Sequence, residues 1–192
     1  MFIHTDLLRA ALCCVADQKE ERRYLQGVNI TSTHIQATDG RAFISMEHGC
    51  NDTTEGVFIF EGPIPDEADG TVIKHLGGND WLAVHMQESG KVVWQTVIEQ
   101  VDAHYPDFSR LLSGEPEQCT SFPIFQARLL ALPYRMFDMG IVPVKFKPWG
   151  DGRPCQLILD ETVNRLYGNP VLIIMPMTND TFEKLEQAFD EV

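Results

Sequence analysis

Histidine, cysteine and carboxylate side chains are the residues of this sequence that could do chemistry, and their spacing decides whether they can. The six histidines are scattered, and none belongs to an HExxH or a paired metal-ligand pattern. Asp39 could serve as a catalytic carboxylate, but an Asp before Gly40 is what a β-turn favours. No glycine-rich loop precedes a Lys-Ser/Thr pair, and no serine lies in a GxSxG motif. The sequence therefore predicts no catalytic residue, no metal site, no cofactor and no enzyme activity.

The cysteines and the N-terminus indicate a reducing compartment. The five cysteines are an odd number without a CxxC pair, so they predict reduced thiols rather than a disulfide framework or a zinc knuckle. No apolar run approaches the roughly 20 residues that span a bilayer. The first residues also lack the basic flank and apolar core of a secretion signal. We expect a cytoplasmic protein that does not bind a membrane.

The charge of the chain limits how it can meet nucleic acid. Lysine and arginine number 15 against 28 aspartates and glutamates, which gives a net charge of −13. Neutralising phosphates needs clustered basic side chains, so the composition excludes a protein that binds nucleic acid over its whole surface. A local basic face is still compatible with it. Hydrophobic residues make up 44% of the chain, which suffices for a sizeable core.

An amphipathic helix followed by three strands forms the first predicted unit. Asp6 can cap a helix whose apolar residues recur at helical spacing as far as Val15. The segments 24–31 and 34–38 are short and rich in β-branched residues, and 41–46 alternates with the period of a strand.

Two further units repeat this order. In the second unit a brief helix is predicted at 70–76, and strands are predicted at 57–60, 81–87, 91–97 and 99–104. In the third unit Pro133 should kink or split a helical stripe over 127–139. The strands of that unit are predicted at 142–147, 155–159 and 171–177. Three helix-plus-strands units at a spacing of roughly 60 residues predict antiparallel sheets backed by helices, an α/β (α+β) fold.

The last residues of the chain differ from these units. Phe182, Leu185 and Phe189 lie on one face of a predicted helix, with acidic residues on the opposite face. The tail, residues 179–192, is therefore predicted to be a short acidic amphipathic helix.

Three local sequences, in this order, carry a resemblance to a known family. The first is Arg23-Tyr24-Leu25-Gln26-Gly27 followed by Ala37-Thr38-Asp39-Gly40-Arg41. The second is Tyr105-Pro106-Asp107-Phe108-Ser109-Arg110-Leu111, and the third is Ile173-Ile174-Met175-Pro176-Met177. They resemble the aromatic-Leu-Asn-Gly strand with its A-T-D-G-H-R turn, the F-P-D-Y-x-R-V segment and the C-terminal V-V-M-P-M of the bacterial sliding clamp. That family is the β subunit of DNA polymerase III.

The resemblance covers residues 4–178 and implies the DNA-clamp fold. Residues 1–115 resemble the family's middle domain, and residues 116–178 resemble the second half of its last domain. Because each family domain holds two helix-plus-strands modules, this chain would have three modules where a full subunit has six. Ordinary ring closure therefore does not follow from the resemblance.

The family binds short peptides of polymerases, clamp loaders and repair proteins in a hydrophobic pocket between its middle and last domains. Carried over to this chain, the pocket residues are Leu25, Thr38, Gly40, Arg41, Phe43, Pro106, Arg110, Leu111, Ile174, Met175, Pro176 and Met177. Methionine and leucine give an adaptable apolar cleft, and the arginines can anchor an acidic or amide-bearing peptide. The alternative for Leu25, Phe43 and Ile174 is plain strand core.

The tail begins next to Met177, so we expect it to cover this pocket or pack beside it; a solvated terminal helix is the alternative.

The family's helices contact double-stranded DNA through basic residues that do not read sequence. The corresponding DNA-facing residues here are Arg9, Lys74, Arg128 and Arg135. Because these basic residues are few, the sequence predicts weak, sequence-independent binding to double-stranded DNA.

These observations predict a small, non-catalytic sliding-clamp-like protein of DNA replication. It would bind polymerase or clamp-loader peptides and form a homo-oligomer. The first alternative is a clamp mimic that binds or inhibits host replication proteins without encircling DNA. A more distant alternative is an unrelated small-molecule enzyme.

Overall fold

One antiparallel sheet runs through all three predicted units. The computed structural model describes residues 1–51, 54–108 and 110–190. Its strands are β1 (Phe2–His4), β2 (Val28–Ile30), β3 (His34–Thr38), β4 (Ala42–Glu47), β5 (Gly56–Ile59), β6 (Gly70–Gly77), β7 (Asp80–Met86), β8 (Val92–Val101), β9 (Val144–Pro148), β10 (Cys155–Leu159) and β11 (Val171–Ile174). Its α-helices are α1 (Thr5–Leu12), α2 (Ala127–Leu130), α3 (Leu132–Met136), α4 (Glu161–Leu166) and α5 (Thr181–Asp190). Across the sheet the strands follow the order β1-β6-β7-β8-β5-β2-β3-β4-β11-β10-β9.

This architecture confirms the predicted fold class, an antiparallel sheet backed by helices. In the first unit α1 buries Leu7, Leu8 and Ala11 and packs against β1 to β4. The helix begins at Thr5, so Asp6 lies in its first turn and does not cap it. A carboxylate at that position favours the helix dipole, and it also accepts a hydrogen bond from Arg9 at 2.8 Å.

In the second unit the predicted helix at 70–76 is wrong, because these residues form β6. That strand pairs with β1 on one side and with β7 on the other. Thr71 and Ile73 are buried between these neighbours, whereas Lys74 is exposed on the other face of the strand. A short apolar run bounded by glycines has no period that separates helix from strand, and the two ladders of hydrogen bonds decide for the strand. The predicted strands at 91–97 and 99–104 form the single strand β8.

In the third unit Pro133 splits the helical stripe, as predicted. It stands in the first turn of α3, where a missing N–H removes no helical hydrogen bond. Both α2 and α3 lie on the same face of the sheet as α1, since Leu129 and Leu132 share one core with Leu8 and Ile44. Three short elements were not predicted: β1, α4 and a 3₁₀ helix over Arg23–Leu25, which replaces the start of the strand predicted at 24–31. All three are too short to show a period in the sequence.

The start of α4 offers a local test of stability. The Asp160 side chain accepts hydrogen bonds from the backbone N–H groups of Thr162 at 2.7 Å and Val163 at 3.3 Å. Asp160→Ala should therefore lower the free energy of unfolding by about 1 kcal/mol. Asp160→Asn keeps an accepting oxygen and should lose much less. Urea denaturation monitored by circular dichroism measures both, and equal losses would contradict a capping role.

β11 joins the third unit to the first. It pairs antiparallel with β4, with Ile174 opposite Ala42. Just before β11, Gly168 adopts a φ of +62°, and its carbonyl accepts a hydrogen bond from the Glu47 N–H at 2.7 Å. The two units thus share one sheet and one core. None of the described helices is long and apolar enough to cross a membrane.

Candidate functional site

A groove lies on the face of the sheet opposite the helices, and we call it the outer groove. Ala42 and Ile44 of β4 point into the helical core, so the alternating Phe43 and Ser45 point to the other face. There a cavity of about 310 Å³ opens between the sheet and the segment that follows β8. Its lining residues are His34, Gln36, Phe43, Ser45, Pro106, Asp107, Phe108, Leu112, Val171 and Ile173.

Aromatic contacts hold the segment after β8 against the sheet. The rings of Phe43 and Phe108 stack with centroids 4.5 Å apart, and Tyr105 meets Phe108 edge-on at 5.7 Å. Tyr24 in turn packs edge-on against Tyr105 at 6.3 Å. Burial raises the pKa of Tyr105, so its hydroxyl stays protonated and contributes no charge to the groove. The result is an apolar wall built from side chains distant in sequence.

The polar side chains at the floor of the outer groove hold one another in place through hydrogen bonds. The Asn29 amide donates to Gln36 at 3.0 Å, and the Gln36 amide donates to the Ser45 hydroxyl at 3.2 Å. Such paired groups fix orientation without demanding a charged ligand. Together with the aromatic wall they make a cleft suited to an apolar side chain with a polar neighbour.

The turn between β3 and β4 closes one end of this region. Asp39 accepts hydrogen bonds from the backbone N–H groups of Arg41 and Ala42, both at 2.8 Å, and Gly40 takes a φ of +82°. The other carboxylate oxygen of Asp39 accepts a hydrogen bond from Arg128, also at 2.8 Å. Asp39 is thus the turn residue that the sequence indicated.

The structure places the twelve predicted pocket residues in two neighbouring groups. Phe43 and Pro106 line the outer groove itself, and Arg110 and Leu111 follow Phe108 in a turn. The other eight surround the β3–β4 turn: Leu25, Thr38, Gly40, Arg41, Ile174, Met175, Pro176 and Met177. Within this second group the segment after β11 is bonded to the turn, because the Met175 N–H donates a hydrogen bond to the Arg41 carbonyl at 2.8 Å.

Some of the predicted wall faces the interior. Leu25, Thr38 and Ile174 are at most 2% exposed, so none of the three offers surface to a ligand in this structure. Along β11 the pleat turns Ile174 toward the helices and Ile173 toward the outer groove. Ile173 shares this face with Phe43 because the two residues are opposite each other in the pairing of β11 with β4, a register that the sequence alone does not give. Phe108 and Leu112 carried no periodic signal because they lie in a loop.

The basic residues expected to face DNA are partly brought together. Arg9 on α1 and Arg135 on α3 lie on adjacent helices, because the Cys13 thiol reaches the carbonyl oxygens of both residues at 3.5 and 3.6 Å. Arg9 pairs with Asp6, and Arg128 pairs with Asp39, each at 2.8 Å. Lys74 lies apart from them on β6. Its grouping with the helical residues is wrong, because the segment 70–76 forms a strand and not a helix.

The two buried thiols, Cys14 and Cys155, lack the lowered pKa of a catalytic nucleophile. Burial raises the pKa of Cys14 well above its ordinary value and that of Cys155 to about 11, so both remain protonated near neutral pH. Within the described ranges, no group of three or more His, Cys, Asp or Glu side chains could hold a metal ion.

The tail helix, α5, leaves the outer groove open. Phe182 is 69% exposed and Leu185 is 49% exposed, and neither lines the groove. The alternative of a solvated terminal helix is therefore the one observed for these residues. The side chain of Phe189, which the sequence placed on the same face, lies outside the described part of the chain.

Solved structures that share this fold include bacterial sliding clamps. The chain matches a putative DNA polymerase III β subunit from Eubacterium rectale with a TM-score of 0.59 and 12% identity over 92% of its residues. It matches the Bacillus subtilis DNA polymerase sliding clamp with a TM-score of 0.57 and 13% identity over 93% of its residues. It spans 65% and 64% of those two chains. No family model and no curated protein matches the sequence. The comparisons confirm the predicted likeness to sliding clamps at the level of the fold.

Proposed function

We propose that this chain, which has the sliding-clamp fold, is a small clamp-like factor of DNA replication that recruits partners through the outer groove. The observation that carries the proposal is the stack of Phe43 on Phe108 in a cavity of about 310 Å³ that has both apolar and polar lining residues. The proposed partners are polymerase or clamp-loader peptides. The protein acts without catalysis, and we place it in the cytoplasm. We retain residues 1–115 and 116–178 as its proposed domains.

The chemistry of the outer groove suits a short linear peptide. Its volume lies at the lower end of the range for ligand pockets, which fits one or two large apolar side chains. Gln36 and Ser45 supply amide and hydroxyl groups at its floor, while Arg41 and Arg110 are exposed near its ends. An apolar anchor flanked by a glutamine or an acidic residue would satisfy all of these groups.

A direct binding measurement tests this proposal. A fluorescent peptide of the clamp-binding pattern Gln-x-x-Leu-x-Phe should bind with micromolar affinity, roughly 8 kcal/mol. Fluorescence polarisation measures it, and a peptide with Leu and Phe replaced by Ser serves as the control. Absence of binding to a folded wild-type chain would refute the proposed groove.

Affinity for linear duplex DNA should be weak and should fall steeply with salt. The helical face offers few cations, and two of them are already paired with carboxylates. Arg135→Glu on α3 should weaken binding and lower the salt slope by about one or more. Lys74→Glu on the far face of β6 is the matched control and should change neither. Tight, sequence-specific binding to a short duplex would contradict a clamp-like role.

The pairing of those arginines favours a second candidate function, a clamp mimic that binds or inhibits host replication proteins without encircling DNA. A protein of net charge −13 whose helical arginines are engaged has little to hold a phosphate backbone. The two functions differ in topology. A closed homo-oligomeric ring should stay on nicked circular DNA at salt concentrations that release it from linear DNA, whereas a mimic should be lost from both.

A further inference from the structure

A row of paired side chains continues the outer groove toward the free edge of the sheet. Phe43 is opposite Ile173 in the pairing of β4 with β11, and Ile173 is opposite Gln156 in the pairing of β11 with β10. Gln156 is in turn opposite Lys147 of β9. Residues directly opposite each other in an antiparallel sheet have their side chains on the same face. Lys147 therefore lies on the face that carries the outer groove.

A second row runs beside the first. Ser45 is opposite Val171, and both residues line the outer groove. The same register leads to Ile158 of β10, which is opposite Lys145 of β9. Ile158 is half-buried and Lys145 is exposed. The floor of the groove thus passes into a strip of the sheet that ends at Lys145 and Lys147, and we call this pair the lysine edge.

The charge of the lysine edge is not neutralised by the described part of the chain. Both lysines are exposed, and neither forms an ion pair with a described residue. The Lys147 ammonium lies 4.8 Å from the centre of the ring of Trp149, which is buried. The face of an aromatic ring attracts a cation and so favours this position of the ammonium. The lysine edge is a local positive site on a chain of net charge −13.

Carboxylates mark the opposite end of the outer groove. Asp107 lines the groove beside Phe108, whose ring stacks on Phe43 of β4, and Glu47 is the last residue of β4. Asp160 follows β10, and its side chain accepts the hydrogen bonds that cap α4. Negative charge on a ligand is therefore disfavoured at the β4 end of the groove and favoured at the β9 end.

The spacing of the strands gives the distance that a ligand must span. Two strand intervals, about 10 Å, separate Ile173 from Lys147. An extended peptide covers that distance in about three residues. In the pattern Gln-x-x-Leu-x-Phe the first residue stands three positions before the leucine. With the leucine seated against Ile173, that first residue reaches the lysine edge.

We propose that the partner peptide carries a carboxylate three residues before its apolar anchor, and that Lys145 and Lys147 bind this carboxylate. The inference rests on the proposed function, because the anchor must occupy the outer groove. It adds a charge requirement, namely that glutamate is preferred over glutamine at this position. The peptide crosses the strands from β11 to β9 and keeps its negative charge away from Asp107.

Fluorescence polarisation at low salt tests the charge requirement. A Glu-x-x-Leu-x-Phe peptide should bind about threefold to fivefold more tightly than Gln-x-x-Leu-x-Phe, as expected for exposed ion pairs. The difference should disappear at about 1 M salt, which screens charges beyond a few ångströms. Lys145→Gln with Lys147→Gln should bring the two affinities together. Lys74→Gln with Lys91→Gln is the matched control, because it removes two exposed lysines from the other half of the sheet, and it should keep the difference.

Charge reversal tests the contact itself. Lys145→Glu with Lys147→Glu should reverse the preference, so that a Lys-x-x-Leu-x-Phe peptide binds more tightly than the Glu peptide. All four lysines are exposed, so these variants should fold, and circular dichroism checks this.

The possible failures point to different parts of the site. Equal wild-type affinities for the Glu and Gln peptides would overturn the lysine edge and leave the outer groove standing. A preference for Glu that survives Lys145→Gln with Lys147→Gln would also overturn it. If neither peptide binds, or if Phe108→Ala changes neither affinity, the outer groove itself fails and the lysine edge with it. A wild-type dimer that the lysine variant abolishes would make the acidic tail of a second copy the occupant, and would refute a partner peptide.

Discussion

Phe108→Ala is expected to weaken binding of the Gln-x-x-Leu-x-Phe peptide by about 10- to 100-fold, or about 1.5–3 kcal/mol. The substitution removes the ring that stacks on Phe43 and meets Tyr105, and with it one wall of the outer groove. Phe108 is only half-buried and lies in a loop, so the fold should survive. Fluorescence polarisation measures the affinity, with circular dichroism as the check of folding.

Matched variants locate the effect. Tyr134→Ala removes an equally large exposed ring from α3 and should leave peptide affinity unchanged. Met175→Ala with Leu111→Ala should weaken binding less than Phe108→Ala, because neither side chain lines the cavity. If the double variant has the larger effect, the peptide lies at the β3–β4 turn and not in the outer groove.

Gly168→Ala is expected to lower the free energy of unfolding by about 2–4 kcal/mol. The residue has a φ of +62°, which disfavours any side chain, and a Cβ there would overlap the backbone carbonyl of Glu47. Relieving that overlap means breaking the contact by which the Gly168 carbonyl binds the Glu47 N–H. Chemical denaturation monitored by tryptophan fluorescence measures the loss.

Gly152→Ala separates the two causes of this destabilisation. Gly152 has a similar φ of +67°, but a Cβ there would meet nothing within 4 Å. Its substitution should therefore lower the free energy of unfolding only through the unfavourable positive φ, by about 1 kcal/mol, without the overlap that Gly168→Ala creates. Equal losses for the two variants would show that the junction between β4 and β11 tolerates the extra carbon.

The sequence predicted most strands because their alternation is local. The hairpin of β7 and β8 and the turn at Asp39 and Gly40 follow from residues that are adjacent in the chain. The helix predicted at 70–76 failed because β6 is made a strand by its pairing with β7 and β1, and a short apolar run between glycines shows no period that separates strand from helix. No periodicity within the segment contains that information.

The same distinction applies to the candidate site. Motifs identified Phe43 and Pro106, which line the outer groove. They misjudged Leu25 and Ile174, since a motif gives the position of a residue and not the face on which its side chain lies. Phe108 belongs to one of the motifs but was not chosen, because its role arises from stacking across the sheet. Predicting it requires the packing of a loop on a strand.

The pairing of β4 with β11 also sets the order in which the chain can be completed on the ribosome. All the neighbours of β1 to β8 other than β11 are present once residue 101 has been made. At roughly 5–20 residues per second, the hydrogen-bonding edge of β4 then waits on the order of ten seconds for β11. During this interval a nascent chain presents a buried-type strand, Ala42–Glu47, with one side unpaired. Nascent chains on neighbouring ribosomes could pair through that edge, so chaperone binding to this stretch during translation would protect the yield of the folded protein.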